Sequence, residues 1–369
     1  MARHRAAAIE VPLLAATGLF GLNSMFGQIY RNGYAEQVLK ILDSPSPTLP
    51  GSQSPLLARY TGVPPVDRLL AIATILWANV TDGSAPELSL YTFQFSGQLV
   101  PVFLAIMIET SRSSSLPGVN AVLWGCAMQS LGYGFTMPVF GIYTLLQTSG
   151  KRSTVRDPSL FEPRVLLPSF GLGYFLPAVL MSLPANPVAH QWFGAVWQGF
   201  PLYVVGFQHL FGRIMKVTPE RGRKSRSLSG AYDMAFKIAS AIQLTTYTII
   251  LAVKVAPGSF PHWAVTALTF QSVFQPGPAH LREPMESMAK AMHDFFKWDQ
   301  YVGSAAALTW GLAHYSMALE GKLTVKDWVR LGCDVVRWSA VAGPAGALMR
   351  LLELRDLATS SKNKRKGDD

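Results

Sequence analysis

The stretch HDFFKWDQYVGSAAALTW, His293 to Trp310, sets two aspartates and a histidine among Phe295, Phe296, Trp298 and Tyr301 and then runs into an apolar segment. An ionisable group at membrane depth is a functional candidate by default. Burial raises a carboxyl pKa and turns the group into a proton donor near neutral pH. The candidate acids are few: Glu10, Asp82, Glu109, Asp233, Asp299, Glu320 and Asp334. Asp233 stands four residues before Lys237, and Asp334 stands three before Arg337, so each reads first as an ion pair on one helix. Asp82 and Glu320 read as solvated end residues, and Glu10 as an acid favoured at a helix start. Glu109 and Asp299 remain the strongest proton donors, with His293 and Asp233 in supporting or structural roles. For Asp299 the competing reading is an N-cap of its own helix. For His293 and Asp294 it is a solvated polar face.

Aromatic residues supply the second half of such chemistry. Trp192, Trp197, Trp298, Tyr301 and Trp310 are expected at the same membrane face as Glu109 and Asp299, as walls of a binding site. Aromatic faces attract cations without attacking them. One protonated acid inside aromatic walls suits a reaction that runs through carbocations. What is missing narrows the chemistry further. The chain has no Walker loop, no G-x-G-x-x-G, no H-E-x-x-H and no G-x-S-x-G. It has no Asp-rich motif to hold magnesium diphosphate and no C-x-x-C, so neither a metal nor a cofactor is expected.

The elements that must position these groups are helices. The 369 residues are 49% hydrophobic and only 15% charged, against about 25% charged in soluble domains. Nine apolar segments approach spanning length: 11–30, 66–81, 88–108, 119–146, 165–183, 191–215, 231–255, 301–319 and 331–352. The segment 119–146 reads as one kinked helix, because Gly132, Gly134 and Pro138 lie in its middle. Asp334, Arg337 and Pro344 interrupt the last segment, and 262–275 is a further possible span. The expected fold is an all-α integral membrane bundle of about eight to ten transmembrane helices. An amphipathic helix precedes the one at 301–319, with Met285, Met288, Met292, Phe295 and Phe296 opposite Glu286, Lys290, His293 and Lys297.

The net charge of +10 lies in short loops and in the tail rather than on a recognition face. The basic loops 151–164 and 216–226 are expected in the cytosol, and nucleic-acid binding is not expected. The first apolar run follows a basic start and is read as a retained anchor helix rather than a cleaved signal. Cys126 and Cys333 lie inside apolar runs and are expected to be small buried residues. Residues 1–358 form a single multi-pass domain, and 359–369 a basic disordered tail.

With FFKWDQYVGSAAALTW in its last third, a multi-spanning chain of this length resembles the fungal membrane-bound terpene cyclases, in particular the group behind ascochlorin-, ascofuranone- and macrophorin-type meroterpenoids. The chain is longer than the seven-helix cyclases of the paxilline and pyripyropene type. The resemblance covers most of the chain. It implies a multi-pass protein of the endoplasmic reticulum, surrounded by membrane lipids, that acts on a lipophilic prenylated small molecule. It also implies cyclisation of a farnesyl chain started by protonating an epoxide or an alkene, without metal. The acid role then falls first to Asp299 and second to Glu109. Two other readings stay open. A transporter or accessory membrane subunit would show related halves or paired broken helices. A sterol-isomerase-like enzyme would also use acids and aromatics in the membrane.

Overall fold

Helices dominate because apolar segments of near-spanning length recur with few charges, and a helix satisfies every backbone group internally. The computed structural model describes residues 2–148, 155, 157–183, 186–216, 224–280, 283–320 and 322–365. Residues 151–154 and 156 of the first basic loop, 217–223 of the second, and 366–369 of the expected tail lie outside these residues. The helices are α1 (Ala2–Leu22), α2 (Tyr34–Leu42), α3 (Pro64–Trp77), α4 (Pro86–Ser113), α5 (Pro117–Leu131), α6 (Tyr133–Thr148), α7 (Pro163–Phe170), α8 (Leu176–Ser182), α9 (Pro187–Gln198) and α10 (Phe200–Ile214). They continue with α11 (Lys224–Val255), α12 (Phe270–Phe274), α13 (Met288–Ala318) and α14 (Val325–Arg365). Among the described residues the only β pairing is one isolated bridge, Thr48 to Pro55.

Four helical stretches are long and apolar enough to cross a membrane: Ala8–Arg31, Pro86–Ser113, Pro163–Ser182 and Leu228–Val255. This is the profile of an all-α membrane protein. In its most apolar window α4 is 89% buried, against 28% for Ala8–Arg31 and for Leu228–Val255. Helix α4 is therefore the central post, and α1 and α11 leave an apolar outer face uncovered. Cys126 and Cys333 also face outward. Both are exposed, which corrects the expectation that they are buried.

Three expected elements differ in detail, each for a local reason. The segment 119–146 is two helices, not one kinked helix, because Gly132 adopts φ +81 between them and ends the first. The segment 191–215 also divides, at Gly199, ahead of the Pro201 that opens α10. The amphipathic stretch and the segment at 301–319 are one continuous helix, α13. It begins at Ser287, whose side chain accepts from the Lys290 N–H, a standard N-cap. Residues 262–275 form only short turns of helix.

Helix α14 breaks at Gly343, where φ is +70 and ψ is +171. The Gln98 side chain of α4 fills the break. Its amide donates to the Ala342 carbonyl at 3.1 Å and its carbonyl accepts from the Ala345 N–H at 3.1 Å. One buried side chain thus satisfies both orphaned ends of an interrupted helix.

Candidate active site

Asp299 lies twelve residues inside α13, so it cannot cap its own helix. It caps another. Its Oδ1 accepts the Gly134 N–H at 2.7 Å, in the first turn of α6. That turn carries unpaired N–H groups which a carboxylate satisfies well. The glycines make the approach possible. A Cβ on Gly132 would come within 2.6 Å of Asp299 Oδ1 and of the Met25 methyl. Only 5% of Asp299 is exposed, and its hydrogen-bonding neighbours are backbone N–H groups of α6. Among the described residues no Lys or Arg forms an ion pair with it.

The seam between α6 and α13 continues in aromatic groups. The Tyr133 ring packs directly on Gly303, which has no side chain to hold it off. From Tyr133 an unbroken run of rings leads through the core. Tyr133 to Phe95 is 6.3 Å between centroids, Phe95 to Phe296 is 6.4 Å, and Phe296 to Trp77 is 5.1 Å. Trp77 reaches Trp197 at 4.7 Å, and Trp197 reaches Phe200 at 5.6 Å. Within this region the Tyr133 and Ser304 hydroxyls are buried beside one another, and among the described residues Gln300 Oε1 and Trp197 Nε1 are buried with no hydrogen-bond partner. Such atoms are rare in folded proteins because each costs about 1–3 kcal/mol.

The other face of α13 has a different task. His293 Nε2 donates to the Val273 carbonyl at 3.1 Å. The fully buried Lys297 ammonium donates to the Ser272 carbonyl at 3.1 Å and the Gln275 carbonyl at 2.9 Å. The Trp298 indole N–H donates to the Gly277 carbonyl at 3.0 Å, and the Tyr301 hydroxyl to the Phe274 carbonyl at 2.5 Å. Asp294 accepts the Gly277 N–H at 3.2 Å. Positions 293, 294, 297, 298 and 301 share one helical face, which holds α12 and the chain after it through their carbonyls. The solvated face expected for His293 is therefore a buried clamp. Trp298 and Tyr301 are members of that clamp rather than walls around Asp299.

The remaining candidates lie elsewhere. Tyr91 of α4 stacks near His293 at 5.3 Å, while Glu109, at the far end of α4, lies within electrostatic reach of His314. Helices α4 and α13 thus run parallel, and Asp299 and Glu109 sit toward opposite ends, about 22 Å apart along the axis. This corrects the expected placement of both acids at one membrane face. Glu109 Oε1 is held by Arg355 at 2.8 Å and by Arg112 at 3.1 Å. Those guanidiniums also hold Asp356, at 2.9 Å and 2.6 Å, and the Tyr232 hydroxyl donates to it at 2.9 Å. Asp233 pairs with Lys237 at 2.7 Å, as its spacing suggests, and with Arg350 at 3.1 Å.

The expected aromatic wall is likewise dispersed. Trp310 meets His314 edge to face at 5.0 Å and donates to Thr144 at 2.8 Å. Trp192 is 41% exposed and touches Tyr60. Trp197 alone of the five belongs to the aromatic run. Trp77, Phe95, Tyr133 and Phe296 complete it, although sequence reasoning did not select them. Phe296 stands three residues before Asp299, but nothing in the chain announces that Trp77 meets it.

An all-α, apolar bundle with a buried carboxyl beside an aromatic interior defines the class of protein. The CtvD domain matches residues 9–359, and the chain belongs to the CtvD domain family. It is 27% identical to terpene cyclase penA of Penicillium crustosum over 357 residues, 92% of this chain and 94% of that protein. It is 29% identical to terpene cyclase janA of Penicillium janthinellum, over 83% of each chain. Terpene cyclase ascI of Acremonium egyptiacum is 24% identical over 80% of this chain and 79% of its own. No solved structure matches.

Proposed function

We propose that this protein is a membrane terpene cyclase in which Asp299 donates the proton that starts cyclisation of a prenyl chain. The observation that carries this reading is the Asp299 carboxyl itself. It is buried, its Oδ1 is held by a backbone N–H of α6, and it adjoins the aromatic run that begins at Tyr133. Full-length similarity to proteins named terpene cyclases supports the reaction class.

The chemistry follows from those groups. The Asp299 O–H gives its proton to a terminal epoxide oxygen, and the C–O bond breaks to leave a tertiary cation. With an alkene substrate the π pair takes the proton and the cation forms at the neighbouring carbon. Internal double bonds then attack in turn, each closing a ring and passing the charge onward. Phe95, Phe296, Trp77 and Trp197 offer ring faces to the migrating charge, worth about 2 kcal/mol or more where water is excluded. The cascade ends when a proton is lost or an oxygen of the substrate captures the cation. Asp299 then regains a proton from solvent or product. In this reading the buried Gln300 side-chain oxygen and the Tyr133 and Ser304 hydroxyls bond an oxygenated end of the substrate. The substrate class is a lipophilic, prenylated meroterpenoid precursor, and the setting is a multi-pass protein of the endoplasmic reticulum.

The test is expression in yeast microsomes supplied with farnesylated phenols that carry either a terminal epoxide or a terminal alkene. Formation of a cyclised isomer of the same mass supports the reading. Unchanged substrate in every case, with the protein folded and membrane-bound, removes it.

A further inference from the structure

A second cleft lies toward the Glu109 end of α4, away from Asp299. It encloses about 650 Å³ between the end of α4, the start of α5, residues 157–161 and the end of α10. Its floor is apolar, formed by Met107, Ala121, Phe161 and Val205. Its rim is cationic: Arg213 and Lys216 stand exposed there, beside His209. The one acid in the lining, Asp157, accepts from the Ser159 hydroxyl at 2.5 Å. Among the described residues neither Arg213 nor Lys216 is in an ion pair.

The level of the cleft in a bilayer follows from the helices around it. The span Pro86–Ser113 ends at its wall, through Met107 and Ser111. The span Pro163–Ser182 begins just after it, and Gly230, near the start of Leu228–Val255, packs on Pro163. Three spans thus have an end at this height, which is where headgroups lie. The expected cytosolic loops 151–164 and 216–226 leave from the same end, so the leaflet is the one rich in anionic lipid.

We propose that this cleft is a binding site for an anionic phospholipid. One acyl chain lies on the Met107–Ala121–Phe161–Val205 floor, and the phosphate meets Arg213 and Lys216 at the rim. Charge complementarity selects the occupant: a zwitterionic lipid gains little from two exposed cations, whereas an anionic one gains from both. The site is independent of the cyclase reading and rests only on the chain's position in a membrane.

The experiment uses the full chain in phosphatidylcholine nanodiscs that contain a minority of phosphatidylserine, with co-purified lipid counted by mass spectrometry. Wild type is expected to retain phosphatidylserine above its share of the bilayer. The double variant R213Q/K216Q, confined to exposed side chains, is expected to lower that retention about tenfold or more. Ala121→Trp should also lower it by filling the floor without changing charge. The control pair K326Q/R330Q, on exposed positions of α14, should leave it unchanged. Three results overturn the proposal: wild-type lipid at the bulk ratio, equal losses in the rim and control pairs, or full displacement by inorganic phosphate. A rim variant that raises the KM for a prenylated phenol while retaining lipid assigns the cleft to substrate and overturns it too. Cyclase turnover is read separately, so failure of one assignment leaves the other standing.

Discussion

Three buried ionisable groups that look alike in sequence are answered in three ways by their surroundings. Glu109 is answered by two guanidiniums, Lys297 by two carbonyls and the more distant Asp294 carboxylate, and Asp299 by a backbone N–H. Glu109 is therefore part of a balanced ionic cluster. Glu109→Gln leaves Arg355 and Arg112 to share Asp356 alone, with one positive charge uncompensated, and breaking a buried pair costs about 3–5 kcal/mol. That variant is expected to melt far below wild type in detergent. Unchanged stability with lost turnover would instead make Glu109 a second acid. Asp299→Ala removes the cap of α6 and is expected to cost about 1 kcal/mol, visible as a small fall in Tm.

At the scale of elements, α13 explains its own unusual sequence. Its clamp face carries His293, Asp294, Lys297, Trp298 and Tyr301, while Phe296, Asp299, Gln300 and Ser304 meet the interior. The stretch of acids and aromatics was legible as important, and so was its helical period. Which face did what was not legible, because the partners are carbonyls of residues 272–277, and a carbonyl leaves no mark in a sequence. Lys297→Met should free the Ser272 and Gln275 carbonyls and speed amide exchange across 270–277, read by hydrogen–deuterium exchange, while α4 stays protected. The broken helices show the same limit. Gly132 was visible as a disruption, whereas the role of Gly343 depends on Gln98, which lies 245 residues earlier in the chain. Gln98→Leu would orphan the Ala342 carbonyl and Ala345 N–H, at about 1–3 kcal/mol each, and is expected to lower Tm sharply. Because Gln98 fills that break, α14 does not supply the ion-coordinating unwound backbone of a transporter.

At the scale of the whole molecule, the class was readable because charge content and apolar run length are global properties that no single contact alters. The family resemblance rested on length, basic loops and the placement of one stretch over most of the chain, and the CtvD domain matches residues 9–359. The grouping of distant residues failed where it depended on topology. Parallel packing of α4 and α13 sends Glu109 and Asp299 to opposite ends, and no count of basic loops reveals that. The interior that remains beside Asp299 is aromatic from Tyr133 to Phe200. The central claim is that Asp299 donates a proton as well as capping α6, and Asp299→Asn separates the two roles. The asparagine oxygen still accepts the Gly134 N–H, but the acidic proton is gone. The decisive measurement is cyclised product from farnesylated phenol substrates in microsomes, with Tm recorded on the same preparations. The account predicts wild-type Tm with turnover at least about a hundredfold lower. Wild-type turnover in that variant would leave Asp299 as a helix cap alone and contradict the account.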